Sequence, residues 1–323
     1  MRFFIAVMFV VLVAIPAFSQ TELSLAYGDA PGKVAFLNSR NNPGVQEPLP
    51  WGPMSFRVNG QEFWIADTVA GRIYQLDAKG GVLGTISLPK SGKNAILEDI
   101  ALVRDPKGVV SSVWVSDGSA QEAVLYSIAG EKLKTIGGRG EMPGKFRQIS
   151  RIEVGPSGRL YASDKGKQLI TVFQPDGRVA RELPWQWSGF CLDSKEDLYY
   201  LKWDDQKKRL HLRAESVDGK SILDETLELP SHTNPELWFI TSAGEAFITF
   251  TPDGAPIGTL KLARCTLNGK LVGILDIKLP IVMNRYLEPR GAEGVWLGQV
   301  DYGKAPDGAF RIIPFKFSGK PEG

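Results

Sequence analysis

The side chains with the clearest capacity for chemistry are tryptophans and oxygen donors scattered along the chain. W-Q-W at 185–187 sets Trp185 and Trp187 on alternate positions, and Trp51 and Trp203 stand next to turn-forming residues. An exposed indole offers a rigid apolar face and one donor, and so anchors sugars, apolar ligands or protein partners. The same side chains would equally serve as a plug filling a loop. Arg151 and Arg285 lie beside short apolar runs and would supply charge. Trp51, Arg151, Trp185, Trp187 and Arg285 are therefore the expected ligand contacts. A second set, Glu98, Asp99, Asn234 and Asn284, consists of oxygen donors. If they converged, they would suit Ca²⁺, which takes oxygen ligands at about 2.3–2.6 Å, and a bound cation would polarise a lactone or ester carbonyl. The alternative is a solvated rim of isolated polar residues.

Other chemistries are disfavoured. A three-histidine zinc site needs more than His211 and His232, the two histidines of the chain. A Ser-His-Asp triad would have to use His232, and no G-x-S-x-G turn is present. I-G-G-R-G-E-M-P-G-K-F (136–146) looks glycine-rich enough to cradle a phosphate. Counting from Gly138, however, the third glycine position of a dinucleotide fingerprint is Pro143, and no helical pattern follows. Cys191 and Cys265 match no metal spacing and lie in apolar runs. Buried free thiols are the favoured reading, with a disulfide between distant strands as the other.

The chain has 323 residues, and 38 basic against 36 acidic side chains leave it nearly neutral at +2. No basic block marks a nucleic-acid partner. Residues 1–19 have the form of a secretory signal peptide: Arg2, an apolar run from Phe3 to about Ala17, and small residues before a cleavage point after Ser19. No cysteine adjoins that point, and no later run is long enough to cross a bilayer. A secreted or periplasmic protein of residues 20–323, monomeric and one domain, is expected.

The elements that must position these residues are strands. A short strand with an aromatic at its second position recurs six times: F-W-I-A-D (63–67), V-W-V-S-D (113–117), L-Y-A-S-D (160–164), L-Y-Y-L-K (198–202), A-F-I-T-F (246–250) and V-W-L-G-Q (295–299). A turn glycine keeps the same beat at Gly80, Gly130, Gly177, Gly219, Gly269 and Gly319, with steps of 42 to 50 residues. Each copy has an earlier strand, such as S-F-R-V (55–58), R-I-E-V (151–154) or R-Y-L-E (285–288), and a later one. Four antiparallel strands in six copies predict an all-β, six-bladed β-propeller. The sixth copy has no room for its fourth strand, and L-S-L-A-Y (23–27) is expected to complete it. Asp67, Asp117 and Asp164 are expected to cap turns, and the six strand aromatics to fill the core.

Blade three, I-G-G-R-G-E-M-P-G-K-F-R-Q-I-S-R-I-E-V-G-P-S-G-R-L-Y-A-S-D-K-G-K-Q-L-I-T-V-F-Q-P-D-G, resembles an NHL repeat: a glycine-rich connector, Gly-x-Phe, an apolar strand, an aromatic strand ending in Asp, and a strand ending in Asp-Gly. Blades one and two share F-W-I-A-D and V-W-V-S-D, while blades four to six carry Lys202, Phe250 and Gln299 in place of the Asp. The resemblance implies the propeller and no single activity, since its members include protein-binding, ligand-binding and catalytic examples. The expected function is binding of a protein, peptide or glycan on the loop face and channel mouth, without a cofactor. The alternative is a Ca²⁺-dependent hydrolase or lyase of the propeller-lactonase type, whose motifs are not found here. A propeller with a purely structural role is the third reading.

Overall fold

The structure is a computed structural model describing residues 22–41, 50–88, 96–186, 188–278, 283–291 and 294–317. The signal-peptide reading, Trp187 and Gly319 lie outside the described residues. Strand β1 spans Leu23–Ala26. Blade one contains β2 (Ser55–Asn59), β3 (Glu62–Asp67), β4 (Arg72–Leu76) and β5 (Val82–Ser87). Blade two contains β6 (Leu97–Arg104), β7 (Val110–Asp117), β8 (Glu122–Ser127) and β9 (Lys132–Gly137). Blade three contains β10 (Ile149–Val154), β11 (Leu160–Asp164), β12 (Leu169–Phe173) and β13 (Val179–Pro184). Blade four contains β14 (Phe190–Leu192), β15 (Leu198–Asp204), β16 (Arg209–Glu215) and β17 (Ser221–Thr226). Blade five contains β18 (His232–Ile240), β19 (Glu245–Pro252), β20 (Thr259–Thr266) and β21 (Leu271–Lys278). Blade six contains β22 (Leu287–Arg290), β23 (Gly294–Gln299) and β24 (Ala309–Lys316).

Each blade is a four-stranded antiparallel sheet, and β1 completes blade six by pairing with β24 from Leu23↔Ile312 to Ala26↔Ala309. The chain's first described strand thus closes the ring and leaves no blade short of an edge partner. The inner strand of blade six begins at Leu287, two residues later than the pattern R-Y-L-E suggested. The repeated aromatics Trp64, Trp114, Tyr161, Tyr199, Phe247 and Trp296 are all buried, packed between neighbouring sheets. Truncating any one of them to alanine would cost about 3–5 kcal/mol.

The two glycine-rich stretches are the same connector. Gly28 N–H donates to the Val34 carbonyl at 2.9 Å and Val34 N–H to that of Ala26 at 3.1 Å. In the later copy, Gly140 N–H donates to Phe146 at 3.1 Å and Phe146 N–H to Gly138 at 2.9 Å. Gly137 has to be glycine: its φ is +94°, and a Cβ there would lie 2.5 Å from the Phe146 ring.

The second-strand aspartates cap as expected, and also tie each connector to its blade. Asp164 Oδ1 accepts from the amides of Gly166 and Lys167 in its own loop and from Gln148 in the connector, at 2.9–3.0 Å. Its Oδ2 accepts from Arg147 N–H at 2.8 Å. Asp117 does the same with Ser119 and Ile96, and Asp67 holds Ala35. Blade four keeps the aspartate after all. β15 runs two residues past Lys202, and Asp204 caps Gln206 and Lys207 at 2.9 and 3.0 Å.

Candidate functional site

In an antiparallel blade, the start of the inner strand, the loop between strands two and three, and the link from the preceding blade share one face. That face surrounds the axial channel. Deep in the channel, Arg57 (β2), Asp99 (β6), Glu153 (β10), Arg285 (two residues before β22) and Glu288 (β22) form one ion cluster. Arg285 Nε donates to Asp99 Oδ1 at 3.0 Å, and its Nη2 donates to Asp99 Oδ2 and Glu153 Oε1 at 2.9 Å. Arg57 reaches Glu153 and Glu288 at 3.1 and 3.2 Å and donates to the Ile100 and Ile152 carbonyls. Blades one, two, three and six are cross-linked through the axis. Burial alone would raise the Asp99 carboxyl, but the Arg285 and Arg57 guanidinia outweigh it and hold it below the usual range. Three carboxylates facing two guanidinia leave one surplus negative charge, and burial pushes Glu288 up.

Closer to the face, Arg151 (β10) bonds Glu236 (β18) at 2.9 Å and donates twice to the Asn284 carbonyl. Its guanidinium lies 3.9 Å from the Trp238 ring centre. Arg151 Nη1 is buried without a hydrogen-bond partner among the described residues. At the mouth, burial lifts the Glu98 carboxyl above its ordinary range. Burial, then the nearby Arg151 charge, lower the Lys165 ammonium.

Beside the mouth a cleft of about 640 Å³ opens between blades four and five, lined by residues including Gln168, Gln186, Trp203, His232, Asn234 and Glu236. A second hollow of about 510 Å³ shares Trp203, Leu210 and His232 with it, and extends it outward past Ser231 and Asp253. Together they make one groove running from Glu236 to the blade's outer side. Trp203 is 37 % exposed. The residues before the capping aspartates in blades one to three are Ala66, Ser116 and Ser163, all fully buried; in blade four it is Trp203. The longer β15 carries this indole outward. Gln186 Oε1 accepts from Trp203 N–H at 2.8 Å, fixing the strand end. His232 donates from Nδ1 to the Pro230 carbonyl at 2.6 Å, because a carbonyl can only accept. Nε2 is left as an acceptor, buried and without a partner among the described residues. Asn234 precedes a proline yet has φ +51°. That left-handed conformation costs about 1–2 kcal/mol for a non-glycine residue, and such strain gathers at binding sites.

The sequence-expected contacts are distributed differently. Trp185 is corrected from an exposed anchor to a core residue: it is 3 % exposed and its Nε1–H donates to the Gly189 carbonyl at 3.2 Å. Arg285 is 1 % exposed and consumed by the ion cluster. Arg151 is buried and reaches the cleft only through Glu236. Trp51 sits away from the cleft, its backbone paired with Leu37. Among the candidate metal ligands, Asp99 is engaged by Arg285 and two backbone amides. Asn284 Oδ1 accepts from Ser150 at 3.1 Å, and its Nδ2 donates to the Glu98 carbonyl at 3.0 Å. Asn234 lines the cleft instead. The donor set does not fit Ca²⁺, since the guanidinia on Asp99 would repel a cation. Among the described residues no three His, Cys, Asp or Glu side chains group to hold a metal. Both cysteines are buried free thiols. No described helix is long and apolar enough to cross a membrane.

The sequence reading missed Gln168, Gln186 and Lys165. Alternation was the available signal for Gln186: with Trp185 packed inward, its neighbour must face outward. For Trp203, the signal was K-W-D standing where A-D or S-D stands in earlier blades.

No protein-family model matches the chain, and no curated protein matches it. Solved structures do. Virginiamycin B lyase from Staphylococcus aureus superposes with TM-score 0.50 at 16 % identity, covering 83 % of this chain and 85 % of that one. A Bacteroides fragilis protein thought to be exported gives TM-score 0.54 at 9 % identity, covering 91 % and 94 %. A luciferin-regenerating enzyme gives 0.51 at 10 % identity, covering 84 % and 93 %. At these identities the likeness is one of fold, and it places the chain among β-propellers that include enzymes as well as proteins of unknown function.

Proposed function

We propose that this protein is a non-catalytic binding module that takes an extended ligand, peptide or glycan, in the groove between blades four and five. The observation that carries this reading is Trp203: an exposed indole on an extended strand end, facing a cleft with an unpartnered His232 Nε2 and a strained Asn234. Strain and an exposed aromatic at one place serve recognition better than stability. The signal-like N-terminus supports action in the periplasm or outside the cell, as a single mature domain of residues 20–323, and the blade-three repeat supports kinship with NHL-repeat propellers. Selection from a displayed peptide library and a glycan array, each run with wild type and Trp203→Ala, tests the reading. Ligands should be lost in the variant. Ligands retained in full would refute it.

A second reading, a hydrolase or lyase at the channel mouth, draws on Glu98 and Lys165. Burial raises the Glu98 carboxyl and lowers the Lys165 ammonium, moving both toward the pH range where general acids and bases work best. It predicts turnover in an ester and lactone screen that Glu98→Gln and Lys165→Met abolish; turnover equal in those variants and wild type would sink it.

A further inference from the structure

We infer that the groove between blades four and five is a saccharide site, taking a neutral, hydroxyl-rich chain laid across the Trp203 indole; this rests on the binding reading above. Four observations converge on it. The innermost cleft is lined by planar amides, Gln168, Gln186 and Asn234, with the Ser188 hydroxyl and the His232 imidazole. The amides and the imidazole donate or accept in fixed planes, which vicinal hydroxyls can match, while the Ser188 hydroxyl already donates to the Leu201 carbonyl at 3.2 Å. The cleft lining has one charged side chain, Glu236, and its charge is already met by Arg151 at 2.9 Å. In this inner cleft an acidic ligand would meet that carboxylate with no cation in the lining to hold it, and a cationic ligand would compete with a buried arginine; in the outer hollow Lys208 and Arg209 are offset by Glu228 and Asp253. Trp203 stands where the inner and outer hollows join, so an elongated ligand filling both must cross it. The flat C–H face of a pyranose stacks on an indole. Finally, Pro235 removes a backbone N–H from the cleft wall, and the register of β18 with β19 breaks between Thr233 and Glu236, so an extended peptide would find an interrupted ladder there.

The groove is about 640 Å³ inside and 510 Å³ outside, large enough for a short oligosaccharide. Glu236 is an acceptor in its lining and would receive a sugar hydroxyl, and His232 forms part of the same wall.

The test is a glycan array of neutral and acidic saccharides probed with the mature protein, followed by isothermal titration of the strongest ligand against wild type, Trp203→Ala, Trp203→Phe and His232→Ala. A neutral saccharide should bind. Trp203→Ala should weaken it at least tenfold, Trp203→Phe less, and His232→Ala measurably, all with unchanged melting temperature. Binding confined to acidic saccharides, or saccharide binding indifferent to Trp203, would overturn the inference. Displayed peptides captured through Trp203 with no saccharide bound would also overturn it, while leaving the binding reading standing. Neither peptides nor saccharides bound would remove both.

Discussion

Replacing Arg285 by methionine tests whether the channel is held shut by charge. Arg285 is 1 % exposed and makes three hydrogen bonds of 2.9–3.0 Å to carboxylates. A hydrogen bond to a charged group contributes about 1.5–3 kcal/mol, but Arg285 itself was desolvated to reach the axis. Removing one partner of a buried pair typically costs about 3–5 kcal/mol, because the other charge stays buried. Asp99 would retain Arg57 at 3.7 Å and the amides of Ile100 and Ile152, which limits the loss to that range. The assay is urea unfolding followed by tryptophan fluorescence, repeated across pH. Asp99 titrates below its ordinary value of 3.8 in the folded protein. Its contribution is therefore fully present above about pH 4 and is lost as pH falls through the folded-state value. The gap between wild type and Arg285→Met should accordingly be widest near neutrality and narrow below about pH 4. Asp99→Asn added to Arg285→Met should recover part of the loss at pH 7 and flatten the pH dependence. An Arg285→Met variant within about 1 kcal/mol of wild type at pH 7, or a gap that does not change with pH, would refute the reasoning.

Gly189→Ala should destabilise by about 3 kcal/mol, since Gly189 has φ +71° and a Cβ would lie 2.1 Å from the Leu237 carbonyl oxygen, prising apart blades four and five; a melting curve like wild type's would contradict the packing of that seam. Asp164→Ala should cost about 2–4 kcal/mol by orphaning the amides of Arg147, Gln148, Gly166 and Lys167, read by the same unfolding curves. Trp203→Ala should leave stability within about 0.5 kcal/mol, as an exposed position allows; a larger drop would show that the indole is packed. Cys265, pushed up to about 12, and Cys191, raised well above its usual value, should resist Ellman's reagent at pH 8 until denaturant is added. Chelation should leave the melting temperature unchanged, and a fall reversed by Ca²⁺ would reinstate a metal site.

The sequence by itself determined the architecture. Aromatics at Trp64, Trp114, Tyr161, Tyr199, Phe247 and Trp296, and the turn glycines that follow, encode local geometry: alternation of side chains and positive φ are properties of a few consecutive residues. The spare strand at 23–27 and the capping role of Asp67, Asp117 and Asp164 were legible for the same reason. The candidate site was not. Arg151 and Arg285 read as surface charges because their partners, Glu236 and Asp99, lie 85 and 186 residues away in sequence and meet only across the axis. Trp185 and Gln186 differ by one position, and only packing decided which faced the core. Trp203 gained its exposure from a β15 two residues longer than the repeat implied, which no periodicity could register. Local chemistry set the blades, and long-range closure of the ring chose which side chains were spent on holding it together and which were left for a ligand.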